Sequence, residues 1–454
     1  MRWPAGALLA LPLLVACEQD VVRPTQVLLF VDTDAAVASD ALASFDSPPA
    51  LFDRVEIAAF GPGQDEPCAD CVRSFALSSG ELADRAVSVG LPVRARTSGY
   101  RVRVRIYRSA NTLDGLPRAE SSLELVAELP LVEEGVKLSR TVLLLTDSVG
   151  IPTGTLRAPV ETLPGRPSFS RVGTWAGARR IPCPSPPGEG EVCVPGGAFW
   201  MGSPLVPPQN DALSRLVVLS PFYLDAHEVR VGEARGSPSV RIGAERHLSA
   251  AEDAPGLFRR YCTFTASVGP YEELPVNCLR VEDASRYCEE RSRVLPTEAQ
   301  LEYVQGGLIS APFPWGSDLP LCEDAVWGRA DKVGTGLCYA GGEPLPLPVG
   351  SARRDRLVLP TGTLFDLAGN VAEFTRDRWS RSTDPCWSRR GVFVDPECKI
   401  QGTTEPDVPA GDTLYVVRGG SWALSVPEMR AAKRTFLPGS FKQYFVGFRC
   451  ARPL

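Results

Sequence analysis

Two acidic residues around a glycine turn are the strongest candidates for chemistry in this sequence. The span 366–373 contains Asp366, Gly369, Val371 and Glu373, and it places two carboxylates beside one glycine. Calcium takes about six to eight oxygen ligands, and such a turn supplies side-chain and backbone oxygens over a short span. The span is therefore a candidate cation site. The alternative is a structural turn whose acids cap the segment that follows it.

The histidines and cysteines of this chain are too few or too widely spaced for the common metal sites. The chain has two histidines, His227 and His247, which cannot supply a three-histidine iron site. Cys68 and Cys71 have close metal-type spacing, but a structural zinc site needs a second pair or nearby histidines. We therefore expect a short local disulfide between them. The sequence also lacks a Gly-x-Ser-x-Gly elbow and a phosphate-binding glycine loop, so it offers no other nucleophile or phosphate site.

The amino-acid composition indicates where the protein is located and which partners it is expected to lack. The chain has 454 residues, which suits two to three domains, and its 13 cysteines favour oxidised pairs in an extracytoplasmic compartment. Its net charge of −6 argues against a nucleic-acid partner, because such partners require a concentrated basic face. With 42 prolines and 41 glycines, loops and strands are favoured over long helices.

The first residues predict a lipoprotein signal peptide over 1–17. A positive start is followed by an apolar stretch from Ala5 to Leu14, which is too short to span a bilayer. The string 14–17, which ends in Cys17, resembles the lipobox of bacterial lipoproteins. The resemblance implies cleavage before Cys17 and a lipid anchor on that residue. The alternative is an ordinary secreted protein.

The predicted anchor sets the expected location. Glu18 stands where an aspartate would act as an inner-membrane retention signal in some Gram-negative bacteria. We therefore expect a bacterial cell-envelope protein, anchored through Cys17 in the outer membrane and facing the periplasm or the exterior.

Residues 22–147 have the period-two pattern of β-strands. The strand candidate 101–108 alternates between arginine and an aliphatic residue from Arg101 to Ile106, which in a strand sends these arginines to one face. Other strand candidates lie at 26–31, 54–60, 86–89 and 141–145. The pattern predicts a small all-β sandwich. We expect the arginine row to be a solvated face, and a binding face is the alternative.

Residues 148–190 are rich in proline and predict a semi-rigid linker. Cys183 and Cys193 flank its end and are spaced to close a short loop. The remaining residues, 191–454, form the last predicted domain.

Six strings give residues 191–454 a family resemblance. They have the same order as the landmarks of formylglycine-generating enzymes, also called sulfatase-modifying factors. They lie at 194–203, 221–229, 274–288, 295–303, 313–316 and 365–374, and the closing run at 417–450 follows them. The resemblance implies an irregular α+β fold related to C-type lectin domains. The spacing of Val281, Ala284, Tyr287 and Cys288 predicts a helix with one buried face, and Thr297 is the expected N-cap of the next helix.

The resemblance also assigns site residues. It implies that calcium is bound by the Asp366 and Glu373 side chains and by the Gly369 and Val371 carbonyl groups. It further implies a disulfide between Cys288 and Cys450.

The two copper-binding cysteines of these enzymes are absent here. No cysteine lies between Cys398 and Cys450, and Leu424 occupies the position of the first reactive cysteine. Copper(I) needs soft thiolate ligands, so copper is not expected.

These observations predict a lipid-anchored envelope protein with a catalytically inactive domain that binds a peptide, a protein or a glycan. One alternative is an active oxidoreductase of the sulfatase-modifying type with displaced active-site residues. Another is a structural component of the envelope.

The predicted anchor is tested by Cys17→Ser. Because the serine hydroxyl cannot take the place of the acylated thiol, we expect the variant to move from the detergent-extracted membrane fraction to the soluble fraction. Immunoblotting of fractionated cells measures the change, with Gln19→Ala as a neighbouring control that stays in the membrane. A variant that remains membrane-bound would exclude anchoring through Cys17.

Overall fold

The computed structural model describes residues 24–37, 49–78, 87–206, 214–243, 261–265, 267–330, 337–339, 341, 343–402, 405 and 411–454. The predicted signal peptide, Cys17 and His247 lie outside the described residues. Within those ranges no helix has the length and apolar character needed to cross a membrane.

The first part of the chain forms two facing sheets. One sheet has the order β11-β9-β1-β4 and the other β10-β8-β5-β2-β3, while β6 and β7 form a separate two-stranded ribbon. The strands are β1 Gln26–Thr33, β2 Arg54–Phe60, β3 Val72–Ala76, β4 Ser88–Pro92, β5 Arg101–Tyr107, β6 Thr112–Leu113, β7 Leu116–Pro117, β8 Ser122–Glu128, β9 Lys137–Leu144, β10 Val160–Glu161 and β11 Leu163–Pro164. The predicted strands at 26–31, 54–60, 101–108 and 141–145 coincide with β1, β2, β5 and β9.

The period-two pattern explains the core between these sheets. On β5, Val102, Val104 and Ile106 are fully buried, and on β1 Val27 and Leu29 are as well. Alternate residues of a strand point to opposite faces, so one face of each sheet covers the other.

The arginine row on β5 is more enclosed than a solvated face. Arg105 forms ion pairs with Glu56 on β2 and Glu124 on β8, the two strands that flank β5. Arg101 is only 9% exposed and donates to the Leu156 carbonyl oxygen at 2.5 Å. The expectation of a freely solvated row therefore needs correction, because cross-strand acids and a following loop cover it.

Residues 148–190 also differ from the predicted spacer. β10 and β11, which lie in this segment, pair with β8 and β9. Val149, Trp175 and Ala178 are buried in the core of the two sheets. The segment therefore packs as part of the folded body, because its few large apolar side chains reach that core.

The rest of the chain forms small sheets linked by long ordered loops. Their orders are β12-β15-β23, β13-β14-β19, β16-β17 and β21-β20-β18-β22. The strands are β12 Glu191–Val194, β13 Gly197–Met201, β14 Arg215–Leu219, β15 Phe222–Asp225, β16 Arg356–Leu359, β17 Gly362–Phe365, β18 Ala372–Arg378, β19 Phe393–Val394, β20 Leu414–Arg418, β21 Arg434–Pro438, β22 Val446–Gly447 and β23 Ala451–Arg452.

Four α-helices lie beside these sheets in the described residues: α1 Val231–Ala234, α2 Pro238–Gly243, α3 Val281–Glu289 and α4 Glu298–Gln305. The predicted face of α3 is confirmed, since its four buried residues are those expected. Thr297 is confirmed as the N-cap of α4, because its side chain accepts the Gln300 N–H at 3.1 Å.

The described residues contain six disulfides, and five of them link segments of this second part. The Cys288–Cys450 bridge joins α3 to the residue before β23, with the Cα atoms 5.5 Å apart. The other pairs are Cys68–Cys71, Cys183–Cys193, Cys262–Cys278, Cys322–Cys338 and Cys386–Cys398. Loops without a large core of their own are thereby held by covalent links.

Trp200 on β13 joins the second part of the chain to the first. Its indole N–H donates to the Leu51 carbonyl oxygen at 2.6 Å. Its ring meets Phe52 edge to face, with 5.6 Å between the ring centroids. Because Trp200 is 1% exposed, the two parts share one continuous core here.

Trp200→Ala tests this junction. Truncating a buried tryptophan costs about 3–5 kcal/mol in the free energy of unfolding, and the Leu51 carbonyl group also loses its donor. Urea unfolding followed by circular dichroism measures the loss. Phe169→Ala is the control, since Phe169 is 56% exposed and its loss should cost less than about 1 kcal/mol. Equal effects of the two changes would show that the junction contributes little stability.

Candidate functional site

The predicted calcium turn follows β17 and is held by a buried carboxylate. Asp355 accepts backbone N–H groups from Leu367, Ala368 and Gly369 at 2.8–3.1 Å. Asp366 begins the turn in the left-handed region, with φ of 53°. Three successive N–H donors aimed at one acid fix the path of this backbone.

Gly369 is required by close packing. A Cβ atom at this position would lie 2.7 Å from the Val326 carbonyl oxygen, well inside van der Waals contact. The next residue, Asn370, donates its own N–H to that same oxygen. Any side chain at Gly369 would therefore displace the turn.

Four buried carboxyl groups surround this turn. Besides Asp355 they belong to Glu228, Asp366 and Glu373, each no more than 1% exposed. Glu228 accepts the Val371 N–H at 3.2 Å, and its charge acts directly on Asp366. One oxygen of Asp366 accepts the Gly350 N–H, while the other, Oδ1, is buried without a hydrogen-bond partner in the structure.

Arg449 is the guanidinium that neutralises Glu373. Its Nε lies 2.9 and 2.8 Å from the two Glu373 oxygens, and its Nη2 lies 2.7 Å from Oε1. The same side chain donates to the carbonyl oxygens of Phe365 and Asp366 at 2.8 and 3.1 Å. Arg449 is completely buried, so this ion pair is shielded from water.

The carboxyl groups of the cluster are harder to ionise than ordinary acids. Burial, followed by the Asp366 charge, raises the pKa of Asp355 to about 7. Burial raises the pKa of Asp366 to about 6, and burial with the Asp366 charge raises the pKa of Glu228 well above its usual range. Burial also raises the pKa of Glu373. The cluster thus gains stability from any added positive charge, whether a proton or a cation.

The turn offers a cation oxygen ligands and negative charge, but among the described residues it lacks a cluster of three ligating side chains. The Asp366 Oδ1 receives no N–H donor, although the Glu228 carboxyl interacts with Asp366. Three acids, Glu228, Asp366 and Glu373, act on the single guanidinium of Arg449. Within the described residues no three Asp, Glu, His or Cys side chains converge as a side-chain metal site would require. A cation here would therefore depend on the Gly369 and Val371 carbonyl groups as well as on Asp366 and Glu373, and it would share Glu373 with Arg449.

Sequence reasoning brought Asp366 and Glu373 into one site but missed Glu228 and Asp355. Glu228 lies in the family-like string 221–229, where nothing in the local pattern marks it as facing the turn. Asp355 stands in a loop before β16 without a motif. His227 is placed as a structural residue, since its Nδ1 lies 2.8 Å from the Glu228 carbonyl oxygen.

The interval where the reactive cysteines would lie packs against the rest of the second part of the chain. Leu424 is partly buried, and its carbonyl oxygen accepts the Gly328 N–H at 2.9 Å. Met429 is 1% exposed and packs with Phe313 and Trp327. Apolar side chains therefore occupy this interval, which contains no cysteine.

Every cysteine in the described part of the chain is oxidised. Twelve of the 13 cysteines form the six disulfides, and the thirteenth is Cys17. The described residues therefore offer no thiolate to a metal or to a substrate.

Comparison with known proteins identifies the second part of the chain. Residues 180–454 match the family described as sulfatase-modifying factor enzyme 1-like domain. A formylglycine-generating enzyme of Thermomonospora curvata is 28% identical over 305 residues, which cover 58% of this chain and 93% of that protein.

Two further relatives carry different descriptions. The inactive C-alpha-formylglycine-generating enzyme 2 of Mus musculus is 29% identical, over 57% of this chain and 84% of that protein. The serine/threonine-protein kinase pkn1 of Chlamydia pneumoniae is 30% identical over 60% of this chain. The match spans only 39% of that kinase.

Proposed function

Since this chain belongs to the sulfatase-modifying factor family through residues 180–454, we propose that it uses the family scaffold for binding and not for catalysis. In this proposal it is a lipid-anchored protein of the bacterial envelope, and its ligand is a peptide, a protein or a glycan. The lipobox-like string before Cys17 supports the anchor.

The oxidation state of the cysteines carries the proposal. A formylglycine-generating reaction of this family depends on two reactive thiols that bind copper, and copper(I) needs such soft ligands. In the described residues every thiol is taken up in a disulfide, and Leu424 and Met429 stand in the interval in question. The Mus musculus relative described as inactive shows that the family name also covers proteins described as lacking the activity.

The covalent and hydrogen-bonded links within the loops support a binding role for this scaffold. Its loops are held by disulfides, and its turn at 366–371 is fixed by the Asp355 and Glu228 carboxylates. Rigid loops lose little conformational entropy when a ligand binds, so they suit recognition.

An activity assay tests the absence of catalysis. The purified chain is incubated with copper, oxygen and a peptide that carries a sulfatase-type cysteine motif, beside the Thermomonospora curvata enzyme as a positive control. Mass spectrometry should find the peptide unmodified with this chain and converted by the control. Formylglycine formed by a preparation of this chain that is free of contaminating enzyme would overturn the proposal and favour an active oxidoreductase.

We also propose calcium at the 366–373 turn, held by Asp366, Glu373 and the Gly369 and Val371 carbonyl groups. The unpartnered Asp366 Oδ1 and the excess of buried acids support it. When bound, the ion supplies positive charge to the cluster and has no part in a reaction.

Calcium should therefore raise the melting temperature of the chain. A ligand that binds only the folded state adds about 2.7 kcal/mol at a hundred times Kd, which shifts Tm by a few degrees in a domain of this size. Glu373→Gln should abolish most of the shift, whereas Glu397→Gln should keep it, because Glu397 pairs with Arg376 away from the turn. Differential scanning calorimetry with calcium or chelator measures both. A Tm that ignores calcium and chelator would make the turn purely structural.

A further inference from the structure

A cleft of about 460 Å³ lies where the two parts of the chain meet. One wall comes from the segment after β5, which contains Arg108 and Asn111, and the other comes from the loop after α4 and from residues 430–432. This volume falls within the range of about 300–1,000 Å³ that is usual for small-ligand sites, which often form at domain junctions. The cleft is separate from the acidic turn, since the two share no residue.

The cleft has an apolar floor and rim. Leu205 and Ile309 border it and are 65% and 53% exposed, while Trp200 and Val206 are buried beneath. Exposed aliphatic side chains beside a cavity favour a ligand with an apolar body, because its burial removes their surface from water.

Two arginines give the cleft a positive charge. The Arg108 guanidinium donates to the carbonyl oxygens of Ile309 and Ser310 at 3.3 and 3.5 Å, which holds it at the wall. Arg430 also lines the cleft and forms no ion pair within the described residues. Glu302 also lines the cleft, but its carboxylate is already bonded to Arg418 and to the Gly202 N–H. The Asp53 carboxylate acts on Arg108, whereas Arg430 has no acidic partner within the described residues, so the charge of Arg430 is left uncompensated.

Asn111 adds an unsatisfied donor. It lines the cleft, is 4% exposed, and its amide nitrogen is buried without a hydrogen-bond partner in the structure. A buried donor without a partner destabilises the fold, so an acceptor placed in this cleft would recover part of that loss.

We propose that this junction cleft binds a carboxylate carried on a short apolar body. A planar carboxylate accepts paired N–H donors from a guanidinium, and it has acceptor capacity left for an amide. Arg430 and Arg108 hold the carboxylate, Asn111 donates to it, and Leu205 and Ile309 cover the apolar part. The C-terminus of a short peptide and a free fatty acid both present this chemistry. The inference deepens the proposed binding role and rests on it.

Isothermal titration of the full chain with matched probes tests the cleft. The probes are hexanoate, hexanamide, and the tripeptide Phe-Leu-Ala with either a free C-terminus or a C-terminal amide. We expect each free acid to bind at least tenfold more tightly than its amide, because the amide brings no charge to the arginines. The acid that binds more tightly identifies the source, a peptide end or a simple aliphatic acid. Equal binding of acid and amide, or no binding of either acid at millimolar concentration, would overturn the proposal.

Arg430→Gln is the decisive variant, because the Arg430 guanidinium forms no hydrogen bond or ion pair within the described residues. It should weaken binding of the preferred acid at least tenfold while leaving the melting temperature unchanged. Arg108→Gln should weaken it as well, although it also removes bonds to Ile309 and Ser310. Arg286→Gln is the matched control, since Arg286 is an exposed arginine on α3 outside the cleft. Acid binding that survives Arg430→Gln would show that the cleft is not the site.

Failure here is distinguishable from failure of the proposed function. If Arg430→Gln leaves acid binding intact and the chain still forms no formylglycine, the inactive binding scaffold stands and only the cleft assignment falls. If the chain converts the cysteine peptide, the proposed function falls whatever the titrations show.

Discussion

The buried guanidinium of Arg449 is the contact on which the second part of the molecule depends. It binds both oxygens of Glu373 and also the carbonyl groups of Phe365 and Asp366, so one side chain joins the end of the chain to the acidic turn. Removing one partner of a buried ion pair costs about 3–5 kcal/mol, because the other charge is left without compensation. The adjacent Cys450 adds a covalent link from the same segment, between β22 and β23, to α3. The Gly-Phe-Arg-Cys string is therefore structural.

Arg418 plays the same part at the other end of this segment. It is fully buried, pairs with Glu298 and Glu302 of α4, and donates to the carbonyl oxygens of Ala431 and Lys433. These bonds fix the backbone of the interval in which the family's reactive cysteines lie, and they need no cysteine to do so. The folding of this segment therefore does not require the cysteines that active relatives use for catalysis. Family membership accordingly predicts the fold of this chain but leaves its activity to the side chains of the site.

The sequence predicted those features that depend on local periodicity. Strict alternation located β5, the spacing of four residues gave the buried face of α3, and Thr297 was recognisable as a cap. Features that depend on distant partners were not predictable. Glu228 and Asp355 reach the acidic turn from other loops, and no spacing along the chain encodes that approach. The arginine row and the proline-rich segment were misjudged for the same reason. Acids on the neighbouring strands pair with the arginines, and Trp175 anchors the proline-rich segment in the core of the two sheets.

Burial decides how the two charged regions of the molecule behave. At the acidic turn the excess charge is negative and fully buried, so it must be offset by protons, by Arg449 or by a cation before the fold is stable. At the junction cleft the excess charge is positive, and Arg430 is partly exposed, so water can solvate it until a ligand arrives. The first region can therefore contribute mainly to stability, whereas the second has charge available for recognition. Because the cleft is formed with the segment after β5, which precedes the family domain, its ligand can differ from any that the family scaffold binds alone.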